Sequence, residues 1–111
     1  MEPQITEKNF ADIIPEGNDG ISGRDKGEQL RERWSLDDLE KQDDVIIIMS
    51  VPDKKTLGQS FIQGLFSKSV LGLGEQRFNE IYKFIASPIV LQSIENAKKS
   101  ILARSRQGAI I

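Results

Sequence analysis

A chain of 111 residues with 38% hydrophobic and 29% charged side chains and a formal net charge of -2 has the means for one domain with a modest core. It has no overall field to draw it onto nucleic acid or an anionic membrane. It contains no cysteine and no histidine, which removes thiol nucleophiles, imidazole acid–base catalysis, Ser-His-Asp triads and nearly all transition-metal sites. The longest apolar run has the length of a strand rather than the roughly 20 residues of a membrane span, and no basic-then-apolar leader opens the chain, so a soluble cytoplasmic protein is expected.

In chain order, Ile5, Phe10, Ile13 and Ile14 are scattered among Pro3, Pro15, Gly17, Asn18, Asp19 and Gly20. They predict two short strands at about 4–7 and 10–14 in an otherwise irregular segment, 1–20. Ser22-Gly23-Arg24-Asp25 has the form of a capping box, which opens a helix over 23–33. Leu30 and Trp34 form its thin buried stripe, and Gly27 on the same side lets its backbone approach whatever it covers. Ser35-Leu36-Asp37-Asp38 repeats the capping pattern and predicts a second short helical turn.

Asp43-Asp44 then releases Val45-Ile46-Ile47-Ile48-Met49, an uninterrupted β-rich run expected to form a central strand covered on both faces. After the turn Pro52-Asp53-Lys54-Lys55, the apolar residues Leu57, Phe61, Ile62, Leu65, Phe66 and Val70 follow a helical stripe that Gly72 and Gly74 end. Glu75 to Ala86 fits a helix or a strand by period. The β-branched and aromatic content of Ile81-Tyr82-Lys83-Phe84-Ile85-Ala86 favours a short helix at 74–79 and a strand at 81–86. Pro88 opens the last helix with Ser87 as its cap. Val90, Ile94, Ala97 and Ile101 give that helix its buried face, and a loose tail is expected over 107–111.

The order obtained is β-β-α-β-α-β-α, an α/β fold of about four strands with parallel pairs and helices covering the sheet. Gly23-Arg24-Asp25-Lys26-Gly27-Glu28-Gln29-Leu30-Arg31, the buried strand, Ser60-Phe61-Ile62-Gln63-Gly64-Leu65-Phe66, Leu73-Gly74-Glu75-Gln76-Arg77-Phe78 and Phe84-Ile85-Ala86-Ser87-Pro88 occur in the order and spacing of the STAS-like proteins. These are small bacterial and phage-associated relatives of the STAS domain of anti-sigma factor antagonists and sulphate-transporter tails. The resemblance covers roughly residues 20 to 104 and places a STAS-like domain over 21–106.

The resemblance implies a non-catalytic regulatory module that binds a protein partner, typically a histidine-kinase-like ATPase, through the loop and helix start after the central strand. Some members are phosphorylated there on the motif Asp-Ser-(Ser or Thr)-Gly. By position that motif falls on Gly58, Gln59, Ser60 and Phe61, so the usual acceptor is Gln59 and the usual acid is Gly58. Phosphorylation is then a matter for Ser60 alone, which reads more readily as a capping or solvent-facing serine. The expected partner surface is Lys55, Thr56, Gly58, Gln59, Ser60 and Gln63, with Gln63 and Lys68 on the exposed side.

Other constellations point elsewhere. Gly72-Leu73-Gly74 lacks the lysine of a phosphate loop and reads as a helix stop. Asp37, Asp38, Asp43 and Asp44 read as a solvated face rather than a magnesium site, and neither a metal nor another cofactor is expected. Arg24, Lys26, Arg31 and Arg33 around Trp34 are interleaved with Asp25, Glu28 and Glu32, which cancels a nucleic-acid footprint. The alternative to a protein-binding module is a small nucleic-acid-binding protein that uses Lys98, Lys99, Arg104 and Arg106 of the last helix. No remaining polar residues form a catalytic constellation, so an enzyme is not expected. An exposed sheet edge near the N-terminus, or Ile110-Ile111 as a latch, offers a route to a homodimer.

Overall fold

A computed structural model describes residues 2–110, with side-chain surroundings up to Ser105. The chain is a mixed α/β fold whose elements are β1 (Gln4–Asn9), β2 (Gly20–Ile21), α1 (Arg24–Arg33), α2 (Leu36–Glu40), β3 (Val45–Ser50), β4 (Thr56–Leu57), α3 (Gln59–Leu73), α4 (Glu75–Ile81), β5 (Tyr82–Ile85) and α5 (Pro88–Ile110). The strands form two parallel sheets, one of three strands in the order β1-β3-β5 and one of the two short strands β2-β4.

The main sheet grows in one direction, so crossovers of uniform right hand put every covering helix on the same side. α1 packs on α3 and α3 on α5 in a single layer. This corrects the expectation that β3 is covered on both faces. Val45, Ile47 and Met49 are buried, whereas Ile46 and Ile48 are only half-buried. An unbroken apolar run does not distinguish the two cases, because the middle strand of an uncovered sheet is already shielded by its neighbours.

The expected strand at 10–14 is instead a 3-10 turn, Phe10–Asp12. Asn9 explains it: its Oδ1 accepts the Ala11 N–H at 2.9 Å, and the N–H groups of Ile13 and Ile14 both return to the Phe10 carbonyl. Local bonds therefore replace a ladder. The turn drives Phe10 and Ile14 into the core, where the Phe10 ring meets Trp34 edge-on at 5.1 Å. β2 and β4 went unread because two residues carry no alternation, and Leu57, expected as helix, belongs to β4.

Neither expected capping box forms. α1 starts from Gly23 at φ 105 without a side-chain cap, a conformation suited to glycine, and α2 starts from Ser35 in the left-handed region, also uncapped by its side chain. At α5 the expected cap is present, with the Val90 N–H donating to Ser87 Oγ at 3.3 Å. Gly74, at φ 86, ends α3, and Gly72 lies inside that helix. The buried face of α5 is Val90, Ile94, Ala97 and Ile101. α5 runs on to Ile110 and takes in residues 107–110; the side chain of Ile110 and the whole of Ile111, the expected latch, lie outside the described residues.

Candidate functional site

The surface expected to meet a partner is built where the β2-β4 ladder hands the chain into α3. Gly20 pairs with Thr56 and Ile21 with Leu57, the Thr56 N–H donates to the Asp19 carbonyl and the Gly58 N–H to the Ile21 carbonyl, both at 2.9 Å. The ladder needs glycine at position 20, since a Cβ there would sit 2.3 Å from the Thr56 carbonyl oxygen. The segment leading to α3 is thereby stitched to the segment leading to α1.

Five of the six expected residues come together on this edge. Thr56, Gln59 and Ser60 are exposed, and Lys55 and Gly58 are half-buried. Lys55 Nζ donates to the Asn18 carbonyl, and Gln59 Nε2 donates to the Ser93 carbonyl of α5 at 2.8 Å. Gly58 is the N-cap residue of α3, so Ser60 is not its cap. Ser60 is the second residue of the helix and faces solvent. Gln63 is the correction: it is buried, and its Oε1 accepts a hydrogen bond from Arg24 Nη2 at 3.0 Å. Gln63 adjoins Gly64, where the backbone of α1 crosses α3 closely, so α1 covers it. Lys68 is exposed, as expected.

A groove of about 420 Å³ adjoins the same ladder on the β2 side. Its floor is apolar, from Ile13, Ile21 and Leu30, and Lys26 and Arg33 of α1 stand at its rim. These cations lie seven residues apart and hence on one face of the helix.

Sequence reasoning missed a buried polar cluster on the opposite flank. Arg31 is only 5% exposed. Its Nη2 and Nε donate to Asp37 Oδ1 at 2.6 and 3.0 Å, its Nη1 to Ser69 Oγ at 2.6 Å and to the Leu65 carbonyl at 3.0 Å, and its Nη2 to Glu40 Oε1 at 3.3 Å. Ser69 and Tyr82 donate in turn to Glu40 Oε2. The members come from α1, α2, α3 and β5, so no local spacing signals them. Burial, reinforced by the Glu40 carboxylate, pushes the Tyr82 hydroxyl well above its usual range, which keeps it a neutral donor. The cluster holds elements together, and a shallow cleft lined by Arg31, Asp37, Glu40, Lys41 and Lys68 opens onto it.

The Arg31 hydrogen bond holds the Asp37 carboxyl below its ordinary value, against a smaller opposing effect of burial. The folded state thus favours the charged form, a contribution present above the pH where an unfolded aspartate titrates, about 4, and lost as pH falls through the lower folded value. Asp37→Asn should accordingly melt below the parent at neutral pH, with the gap narrowing as pH falls below the range where an unfolded aspartate titrates. Thermal melts across that range check it, and a gap that widened in acid would refute the assignment.

The other expected clusters come apart. Arg31 leaves the Arg24, Lys26, Arg33 and Trp34 group for the interior. Asp37 is committed to Arg31, and among the described residues no three acidic side chains are placed to hold a metal ion. Lys98, counted with Lys99 and Arg104 as a basic surface, is buried. It donates to Asn79 Oδ1 at 2.8 Å, pairs with Glu95 at 2.9 Å and lies over the Phe78 ring. Lys99 and Arg104 remain exposed, while the Arg106 side chain falls outside the described residues. Among the described residues no helix is long and apolar enough to cross a membrane. No family model, curated protein or solved structure matches the chain.

Proposed function

We propose that this chain is a non-catalytic, STAS-like protein-binding module that engages its partner through Thr56, Gln59 and Ser60 and the adjoining groove. The partner class that the resemblance brings is a histidine-kinase-like ATPase. One observation carries the reading: an exposed polar ridge at the start of α3 is held by three bonds to two separate segments, through Lys55 to Asn18 and Gly58 to Ile21 before α1, and through Gln59 to Ser93 of α5. A surface held in this way loses little conformational freedom on binding, so more of the contact energy appears as affinity. Ser60 is also the one hydroxyl at the family's switch position. Beside a glycine N-cap that offers no side chain to the first-turn N–H groups, a phosphate on it would be favourably placed.

Ser60→Glu and Gln59→Lys should each weaken partner binding by about 30-fold or more, the scale of an interface hot spot. Far-ultraviolet circular dichroism should be unchanged in both, and the melting temperature unchanged in Ser60→Glu, whose side chain is exposed, and slightly lower in Gln59→Lys, which gives up the bond to the Ser93 carbonyl. The measurement is affinity capture with identification of the partner, followed by calorimetric titration of the purified pair. Unchanged affinity in both variants rejects this surface. Phosphopeptide mapping of the same captured protein tests Ser60 as the acceptor.

A further inference from the structure

The main sheet has helices on one side only. In-register parallel pairing sets Ile5 beside Ile46, Glu7 beside Ile48 and Asn9 beside Ser50, and across the other edge sets Ile48 beside Lys83 and Ser50 beside Ile85. Paired residues share a face, and side chains alternate along each strand. These residues therefore occupy the face opposite Val45, Ile47, Met49 and Tyr82, away from the helices. Ile5 and Ile85 are 61% and 62% exposed, and Ile46 and Ile48 are half-buried. Four isoleucines on a face that no described helix covers form an apolar patch of the kind that marks an interaction surface.

We propose that a second copy of this chain covers that face, the two sheets packing face to face about a two-fold axis parallel to the strands. The charges select both the occupant and the axis. The middle row reads Glu7, Ile48, Lys83: an acid on one edge, a base on the other, isoleucine between. A two-fold axis along the strands lays β1 of each copy over β5 of the other, so Glu7 of each meets Lys83 of the other and Ile48 meets Ile48. An axis across the strands would set Glu7 over Glu7 and Lys83 over Lys83. The row is thus complementary to itself in one orientation, as an isologous interface requires. Among the described residues neither Glu7 nor Lys83 is in an ion pair, and Lys83 Nζ donates only to the Asn79 carbonyl. Aligned sheets pack about 10 Å apart with strands within about 30° of parallel, a gap that glutamate and lysine side chains bridge together.

Strands of six, six and four residues have a footprint of roughly 250 Å² from their spacing and rise. That is well below the roughly 800 Å² per partner of a stable complex. The dimer is therefore weak and concentration-dependent.

Sedimentation velocity from about 10 μM to about 1 mM, the range in which so small an interface associates, tests the proposal. Wild type should shift from monomer to dimer with concentration. E7K alone and K83E alone should stay monomeric, since each places like charges opposite one another. An equimolar mixture of E7K and K83E should associate again, because each then supplies the charge the other lacks, and the E7K/K83E double variant should dimerise by itself. Wild type that remained monomeric throughout, or single variants that dimerised as well as wild type, would overturn the proposal. Should either variant fail to fold, carbodiimide coupling of wild type replaces it: a Glu7–Lys83 cross-link in the dimer band supports the arrangement, and its absence there rejects it.

Discussion

Gly64→Ala should cost on the order of 3 kcal/mol or more, the upper range for overpacking a tight contact, and lower the melting temperature by roughly 15 °C for a domain of this size. A Cβ at Gly64 would lie 2.2 Å from the Arg24 carbonyl oxygen, and one at Gly27 would lie 2.2 Å from the Phe61 carbonyl oxygen and 2.7 Å from the Leu65 nitrogen. Each glycine thus accommodates the backbone of the opposite helix. A backbone cannot swing aside as a flexible side chain would, so α1 and α3 must part, and Leu30 and Arg31 are withdrawn from their contacts with α3. Gly27→Ala should do comparable damage, and the double variant should cost less than the two singles together, because helices already separated accept the second methyl. Gly72→Ala is the control. Nothing lies within 4 Å of its added Cβ, so replacing this glycine in the last turn of α3 should be neutral or stabilising by up to about 0.5–1 kcal/mol. Urea and thermal unfolding of the four variants decide the matter, and a Gly64→Ala protein that melted within a few degrees of wild type would rule out the close crossing.

Arg31→Met should be as severe, at about 3–5 kcal/mol, the usual consequence of breaking a buried ion pair. Methionine nearly fills the space but leaves Glu40, 9% exposed, without its cation. The hydroxyls of Ser69 and Tyr82 still donate to Glu40, yet they supply no charge. Arg31→Met combined with Glu40→Gln should therefore recover part of the loss, because a neutral amide still accepts from both hydroxyls while the unpaired charge is gone. Denaturant midpoints for the two singles and the double close the cycle. Strictly additive costs would mean that Arg31 and Glu40 act independently, contrary to the bonds they share.

Both effects bear on what the sequence could disclose. An unbroken β-branched run gave away β3, and regular apolar periods gave away the stripe of α3 and the buried face of α5, because each is a local pattern. Gly27 was readable as a point of close approach, but its counterpart Gly64 was not, since only the crossing itself says which glycine of α3 lies opposite. The Arg31 cluster was invisible for a related reason: Glu40, Ser69 and Tyr82 each look like an ordinary surface residue until α2, α3 and β5 converge. Ser22 and Asp25 had the right types for a capping box, yet Gly23 turned the chain first. At the candidate surface the spacing brought Lys55, Thr56, Gly58, Gln59 and Ser60 to one edge, whereas Gln63 is covered because it adjoins Gly64, where α1 crosses α3, and helix spacing alone does not locate that crossing. The open sheet face was hidden by the same isoleucines that form it, for burial on two faces and burial between two neighbouring strands write the same run of letters.

The order β1-β3-β5 also sets a timetable for a chain made from its N-terminus. β1 emerges first, but its only partner in the main sheet is Val45–Ser50, so its ladder must wait until that segment has left the ribosome. β3 in turn awaits Tyr82–Ile85 for its second neighbour. Non-local parallel pairing of this kind is slow to form, and the isoleucines of the unfinished sheet stay exposed while synthesis proceeds. The helix pair α1 and α3, joined through glycines and ready as soon as Leu73 is made, is the first extensive helix packing able to cover the inner face of that unfinished sheet.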